Sequence, residues 1–250
     1  SATAVGYAIC AALVVLIFLC FAEVGSRVHD SGGAYAYVER AFGPFVGFIA
    51  ANLMWFGVGA CVDAALADVL VSTLATAIPV LAQPLPRALA LIALFAFMAG
   101  VNITGVKTGA RLVVALTVLK LLPLLLLLVV GTPHIAWSLV IPSRMPSAST
   151  LGRGVLLLMF AFIGGESSLS ASGELRNPSR TVPLGLLMGV ATVVSIYFGL
   201  QLVAEGVLGA DLPAQTTAPL AAVAEQLMGP WGRSLLLGAV TLSIFALVNG

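Results

Sequence analysis

Charge is scarce in this sequence. Acidic side chains number 10 and basic ones 11 among 250 residues, or 8%, whereas a water-soluble domain carries roughly 25%. With a formal net charge of +1, no basic field is available for nucleic acid, and no Lys/Arg run is long enough for a headgroup-binding tail. Cysteine and histidine are scarcer still. Cys10, Cys20 and Cys61 lie far apart in apolar runs, without metal-ligand spacing or the even count a disulfide framework needs, and read as packing residues. The two histidines, His29 and His134, fall in separate loops. With no Ser, Cys or metal-ligand cluster to complete them, nucleophilic and metal-assisted chemistry lose their usual parts, and no prosthetic group is implied. The opening SATAVGYAIC has no initiator methionine and no basic stretch, so its apolar run reads as a span and not as a cleaved signal. The closing SIFALVNG stops inside an apolar segment, and the chain is expected to be a piece of a longer protein, cut at both ends.

What fills the space left by charge is hydrocarbon. Hydrophobic residues make up 60% and mean hydropathy is +1.13, which places the chain in a bilayer. Runs long enough to cross about 30 Å of hydrocarbon fall at Ala4–Gly25, Phe45–Ile78, Ala88–Thr104, Ala110–Gly131, Leu151–Ser172, Val182–Leu208 and Arg233–Gly250, predicting seven transmembrane helices in one transmembrane domain. They lack the period-two alternation of a membrane barrel. Gly- and Pro-rich punctuators such as HDSGGAYAYVERAFGP and RNPSRTVP separate them. If the loop after the first span is cytoplasmic, that side collects Arg27, Arg40, Lys107, Arg111, Arg176 and Arg180, leaving Arg87, Arg144, Arg153 and Arg233 outside. The glycosylation-like NIT at Asn102 would then lie on the cytoplasmic face, where no glycan is added.

Ionisable residues in mid-span are the best pointers to function, because each costs about 2.5–3.5 kcal/mol at the bilayer centre unless paired or facing a cavity. Four qualify: Asp63, Asp68, Lys120 and Glu166. Glu23 and Glu205 lie near span ends, where a solvated interfacial carboxylate is expected. Lys120, in LTVLKLLPLLLLLVV, is too deep to snorkel fully to water. Desolvation disfavours its ammonium form, so it either gains and loses a proton during a cycle or stays charged against backbone carbonyls. Pro123, one turn on, frees a carbonyl in the same turn, which suits both readings. Asp63 and Asp68, five apart, do not share a helix face well. Asp63 is expected to face a cavity, where its carboxylate would attract an amine; Asp68 receives no assignment. Gly164, Gly165 and Glu166, in FAFIGGESSLSASGELRNPSR, place two helix-weakening glycines and a carboxylate inside a span. A helix broken in hydrocarbon is tolerated only where its backbone faces protein or a watery cavity, and transporters hold small polar substrates at such half-helix ends. Close helix packing through the two glycines is the competing reading. The pairs Gly43/Gly47 and Gly185/Gly189 are weak packing signals.

CFAEVGSRVHDSGGAYAYVERAFGPFVGF, NITGVKTGARLVVALTVLKLLPLLLLLVVG and FAFIGGESSLSASGELRNPSRTVP closely resemble the second-to-third, fourth-to-fifth and sixth-to-seventh helix regions of the amino acid-polyamine-organocation transporters. The order and spacing run the length of the chain. The resemblance implies an all-α integral membrane protein of leucine-transporter-like inverted-repeat fold, this chain supplying helices two to eight of a usual twelve. It also implies a discontinuous sixth helix at Leu151–Ser172, with the substrate held midway through the membrane. On it, Phe160 takes the place of an aromatic gate over the substrate. Ile163, Gly164 and Gly165 take that of the unwound backbone, Glu166 that of a glutamate linked to proton-dependent gating, and Asp63 that of a substrate-facing polar residue on the third helix. Lys120 resembles the fifth-helix lysine that stands where sodium sits in sodium-coupled relatives, which argues against sodium coupling.

These features point to secondary transport of an amino acid or related amine by proton-coupled symport, with substrate, proton and lipid bilayer as partners and no nucleic acid. Short loops and the absence of targeting segments favour a bacterial plasma (inner) membrane. Exchange of one substrate for another is the alternative within transport. A membrane-embedded enzyme, using Asp63 and Asp68 as an aspartyl pair, is opposed by their five-residue offset. A non-transporting accessory subunit would have no use for charges in mid-membrane.

Overall fold

The computed structural model describes residues 2–28, 32–103, 106–141, 147–162, 164–175, 177–215 and 218–249. Ile163, and with it His29, Arg144 and Arg176, lies outside the described residues. No strand occurs among the described residues, and ten α-helices organise them: α1 (Ala2–Arg27), α2 (Ala34–Phe42), α3 (Pro44–Asn52), α4 (Cys61–Ala77), α5 (Pro84–Ile103), α6 (Val106–Gly131), α7 (Trp137–Val140), α8 (Ala148–Phe160), α9 (Pro178–Leu208) and α10 (Pro219–Asn249). A π-helical stretch, Leu53–Ala60, joins α3 to α4, and a 3-10 stretch, Gly165–Glu174, follows α8. Among the described residues, six helical segments are long and apolar enough to cross a membrane: Thr3–Arg27, Pro44–Ala75, Pro84–Val101, Val114–His134, Pro178–Ala214 and Pro219–Leu247. Ala148–Phe160 is a shorter apolar helix.

By contacts the chain divides into two compact units, Ser1–Asn52 with Val130–Gln215, and Leu53–Val129 with Thr216–Gly250. In the first, α1 runs along α9 and α8. Cys10, Val14, Phe18 and Ala22 recur every fourth residue on α1, and Val182, Leu186 and Val190 do so on α9, the spacing that lines one face of a helix. Tyr37 of α2 and Leu169 of the 3-10 stretch complete this cluster. Gly25 permits the approach, since a Cβ there would stand 2.7 Å from Val182 Cγ1. Transfer from lipid to a helix interface supplies little free energy, so close packing through small residues has to hold the helices together.

In the second unit α4 packs on α10 and α5. Ala67, Leu70 and Val71 are buried on α4, and Leu236 and Ala239 on α10. Phe97 and Phe245 meet with ring centroids 6.0 Å apart. α10 bends at Gly229 (φ 72°), just before Pro230, and Arg233 Nη1 donates to Glu225 Oε2 across the bend at 2.6 Å. Pro accounts for the bend, and Gly for the positive φ.

Of the cysteines only Cys10 is buried; Cys20 and Cys61 are free and exposed, so packing does not explain them. Among the described residues, nothing beyond the helix's own backbone comes within 4 Å of where a Cβ would stand at Gly185 or Gly189, whereas Gly47 lies hard against Glu39.

Candidate functional site

Ser147 caps α8 by accepting the Thr150 N–H at 3.3 Å, and the helix then runs only to Phe160. The Ala161 N–H turns back to the Leu158 carbonyl at 3.0 Å and that of Phe162 to Met159 at 3.1 Å, tightening the last turn. Gly164 stands at φ 107°, a conformation that side chains strongly disfavour. Its N–H donates to Glu166 Oε2 at 2.9 Å, so the carboxylate reaches back across the start of the 3-10 stretch as a capping side chain does.

The chain beyond the break is fixed at several points. Ser168 Oγ donates to the Gly165 carbonyl at 2.8 Å, Leu169 is 2% exposed, and Gly32 N–H donates to the Ser170 carbonyl at 3.2 Å. Upstream, the Phe162 and Tyr197 rings lie 5.4 Å apart. Two helix ends therefore face the break with opposite partial charges: the carbonyl end of α8 suits an ammonium group, and the N–H end that opens at Gly164 suits a carboxylate, the Gly164 N–H here donating to that of Glu166. Phe160, the final residue of α8, is 67% exposed. The structure thus brings Phe160, Gly164, Gly165 and Glu166 into one short stretch of the first unit.

Asp63 and Lys120 belong to the second unit. Both are partly buried. Asp63 lies in the first turn of α4, directly after the π-helical stretch, and such stretches frequently mark functional sites. Lys120 sits in mid-α6, one turn before Pro123, which has no N–H for the Leu119 carbonyl.

Asp68 acquires a partner that sequence reading did not supply. Arg87 donates to Asp68 Oδ1 from Nε at 3.0 Å and from Nη2 at 2.5 Å, and Nη2 also reaches Ser72 Oγ at 2.7 Å. This fork ties α4 to the start of α5 and makes Asp68 a structural ion-pair partner.

Glu205 requires a correction. It is not a solvated interfacial carboxylate, being 3% exposed. The chain after α6 folds back over this part of α9: Ala136 N–H donates to the Gly206 carbonyl at 3.1 Å, and Ile135 lies against Gly206. Gln201 Nε2 donates to Glu205 Oε1 at 2.8 Å. Glu23, by contrast, is exposed and paired with Arg27.

Comparison with known proteins follows the same line. The sequence pattern of the family described as Amino acid permease matches residues 1–250. The chain is 29% identical over 223 residues to the cadaverine/lysine antiporter of Escherichia coli K12, covering 86% of this chain and 49% of that protein. It is 26% identical over 237 residues to the serine/threonine exchanger SteT of Bacillus subtilis 168, covering 93% and 53%. To the L-lysine transport protein of Corynebacterium glutamicum it is 29% identical over 229 residues, covering 87% and 45%. The chain spans about half the length of these curated relatives.

Proposed function

The chain belongs to the amino acid permease family, and from that premise we propose that the full-length protein is a secondary transporter of an amino acid or related amine, working by alternating access in a bacterial plasma membrane. The observation that carries the reading is the end of the apolar helix α8 at Phe160, after which Gly164 at φ 107° and the Glu166 carboxylate open a 3-10 stretch. A substrate ammonium group would be received by the carbonyl end of α8 beneath Phe160, in keeping with the helix dipole. Gly164, Gly165 and, outside the described residues, Ile163 would supply the unwound backbone. Asp63 would favour a cationic substrate over a neutral one.

Transport is driven by protons in this reading, through Lys120 and Glu166. Protonation of Glu166 removes its charge and weakens its hold on the Gly164 N–H. That would free the backbone donor for a substrate carboxylate and so link proton to substrate. Exchange is the second reading, favoured by the names of two relatives, an antiporter and an exchanger. Both readings make the protein a carrier and not an enzyme.

Uptake of radiolabelled amino acids and diamines into proteoliposomes distinguishes them. Stimulation by an inward proton gradient into empty vesicles supports symport, and uptake that requires substrate loaded inside supports exchange. The absence of both over a broad panel sinks the transport reading.

A further inference from the structure

The two glycines at the break are required for different physical reasons. At Gly164 the backbone sits at φ 107°, and apart from its chain neighbours no atom of the described residues comes within 4 Å of where a Cβ would stand. Gly165 has no such backbone demand. A Cβ there would instead lie 2.5 Å from Phe18 Cζ and 2.9 Å from Cε1, well inside the separation at which carbon atoms attract. The tip of the Phe18 ring is in direct contact with the Gly165 main chain.

That ring has little freedom to withdraw. Phe18 is 7% exposed and belongs to the α1 stripe, one turn from Val14 and from Ala22, and Phe21 lies edge-on to it with centroids 6.1 Å apart. Ser168 Oγ and the Glu166 carboxylate bond the break from within its own stretch, whereas the other named contacts with neighbouring segments flank it. Leu169 and the Gly32–Ser170 hydrogen bond hold the chain downstream, and Leu158 and Met159 pack on the core upstream. Phe18 touches the chain between them, one residue after Gly164 and one before Glu166.

We propose that Phe18 is the positioning residue of the break: its ring, seated on Gly165, sets the path of the Gly164–Glu166 backbone and thereby the affinity for substrate. The inference rests on the reading of that break as the transport site. Phe18 contacts main chain and acts on substrate through it. A misplacement of about 1 Å in a binding group is enough to lower a rate about 100-fold, so a shift of this prop registers in KM before it registers in folding.

The test is a size swap in the full-length protein, with uptake KM and Vmax measured in proteoliposomes and melting temperature in detergent. Gly165→Ala should raise KM by about tenfold or more, and Phe18→Leu by about threefold to tenfold with Vmax per folded molecule near wild type. The double variant Phe18→Leu/Gly165→Ala should recover both melting temperature and KM relative to Gly165→Ala alone, because leucine vacates the space the methyl group needs. Recovery of melting temperature without recovery of KM would reduce Phe18 to a packing residue and overturn the proposal. Should Gly165→Ala fail to accumulate, Phe18→Leu decides: a raised KM with wild-type melting sustains the role, and an unchanged KM ends it. Wild-type protein without uptake of any amine or amino acid would overturn the transport reading itself, an outcome separate from a failed rescue in a working transporter.

Discussion

The Gly164 nitrogen and Glu166 Oε2 lie 2.9 Å apart, so the break that follows α8 is closed by its own carboxylate. Charge and backbone donor are joined at one point, and the substitution of either partner has a distinct signature. Glu166→Gln keeps an oxygen to accept from Gly164 and removes the carboxylate. It should retain substrate affinity within about threefold while flattening the pH dependence of uptake, and Glu166→Ala, which leaves the Gly164 N–H to a substrate carboxylate at every pH, should flatten it too without raising KM by more than about threefold. Identical pH profiles for wild type and Glu166→Gln would remove Glu166 from proton coupling.

Gly164→Ala forces a side chain into φ 107°, where strain of order 1–3 kcal/mol is expected. Uptake should be lost with most of the protein still folded. Gly185→Ala, a helical position with open space around it, should instead be neutral or stabilise by up to about 1 kcal/mol. Equal effects of the two on uptake and melting would contradict this division.

Lys120 lies in mid-α6. Lys120→Ala should abolish or uncouple proton-driven uptake and leave the melting temperature close to wild type. Unchanged gradient stimulation would exclude the residue from coupling.

Asp63→Asn should weaken cationic substrates at least about tenfold more than neutral ones, as expected where a carboxylate reads charge out of bulk water. Parallel losses for lysine and serine, measured by competition against a common labelled substrate, would show that Asp63 does not read charge.

Asp68 and Arg87 should behave as one unit. Because Asp68 is more than half exposed, solvent screening limits the pair to about 1 kcal/mol. A double-mutant cycle of Asp68→Asn and Arg87→Gln, read by thermal melting, should show non-additivity of that size without a change in KM. Strict additivity would mean that the contact contributes nothing.

Much of this was legible in the sequence because hydrocarbon imposes length and composition on whatever crosses it. The apolar runs and their Gly/Pro punctuation marked out an all-helical membrane chain, and IGGE falls where α8 has ended at Phe160 and the 3-10 stretch begins. Boundaries moved where proline starts a helix: α9 begins at Pro178 and α10 at Pro219, well before Val182 and Arg233. What stayed hidden depends on which face of an apolar helix meets protein. Lipid and protein core demand the same chemistry, so nothing in the α1 sequence marks Phe18 as inward and Leu16 as outward. The Arg87–Asp68 pair joins residues 19 apart, and the burial of Glu205 depends on a return of the chain after α6. Neither leaves a local pattern.

Equilibrium binding of a radiolabelled amino acid or diamine to the purified full-length protein tests the central claim most directly, with wild type compared against Gly164→Ala at matched folded fraction. If the break is where substrate is held, wild type binds a member of the panel saturably and Gly164→Ala loses that binding by about tenfold or more, as its strain energy implies. Undiminished binding by Gly164→Ala would place the substrate elsewhere and contradict the account.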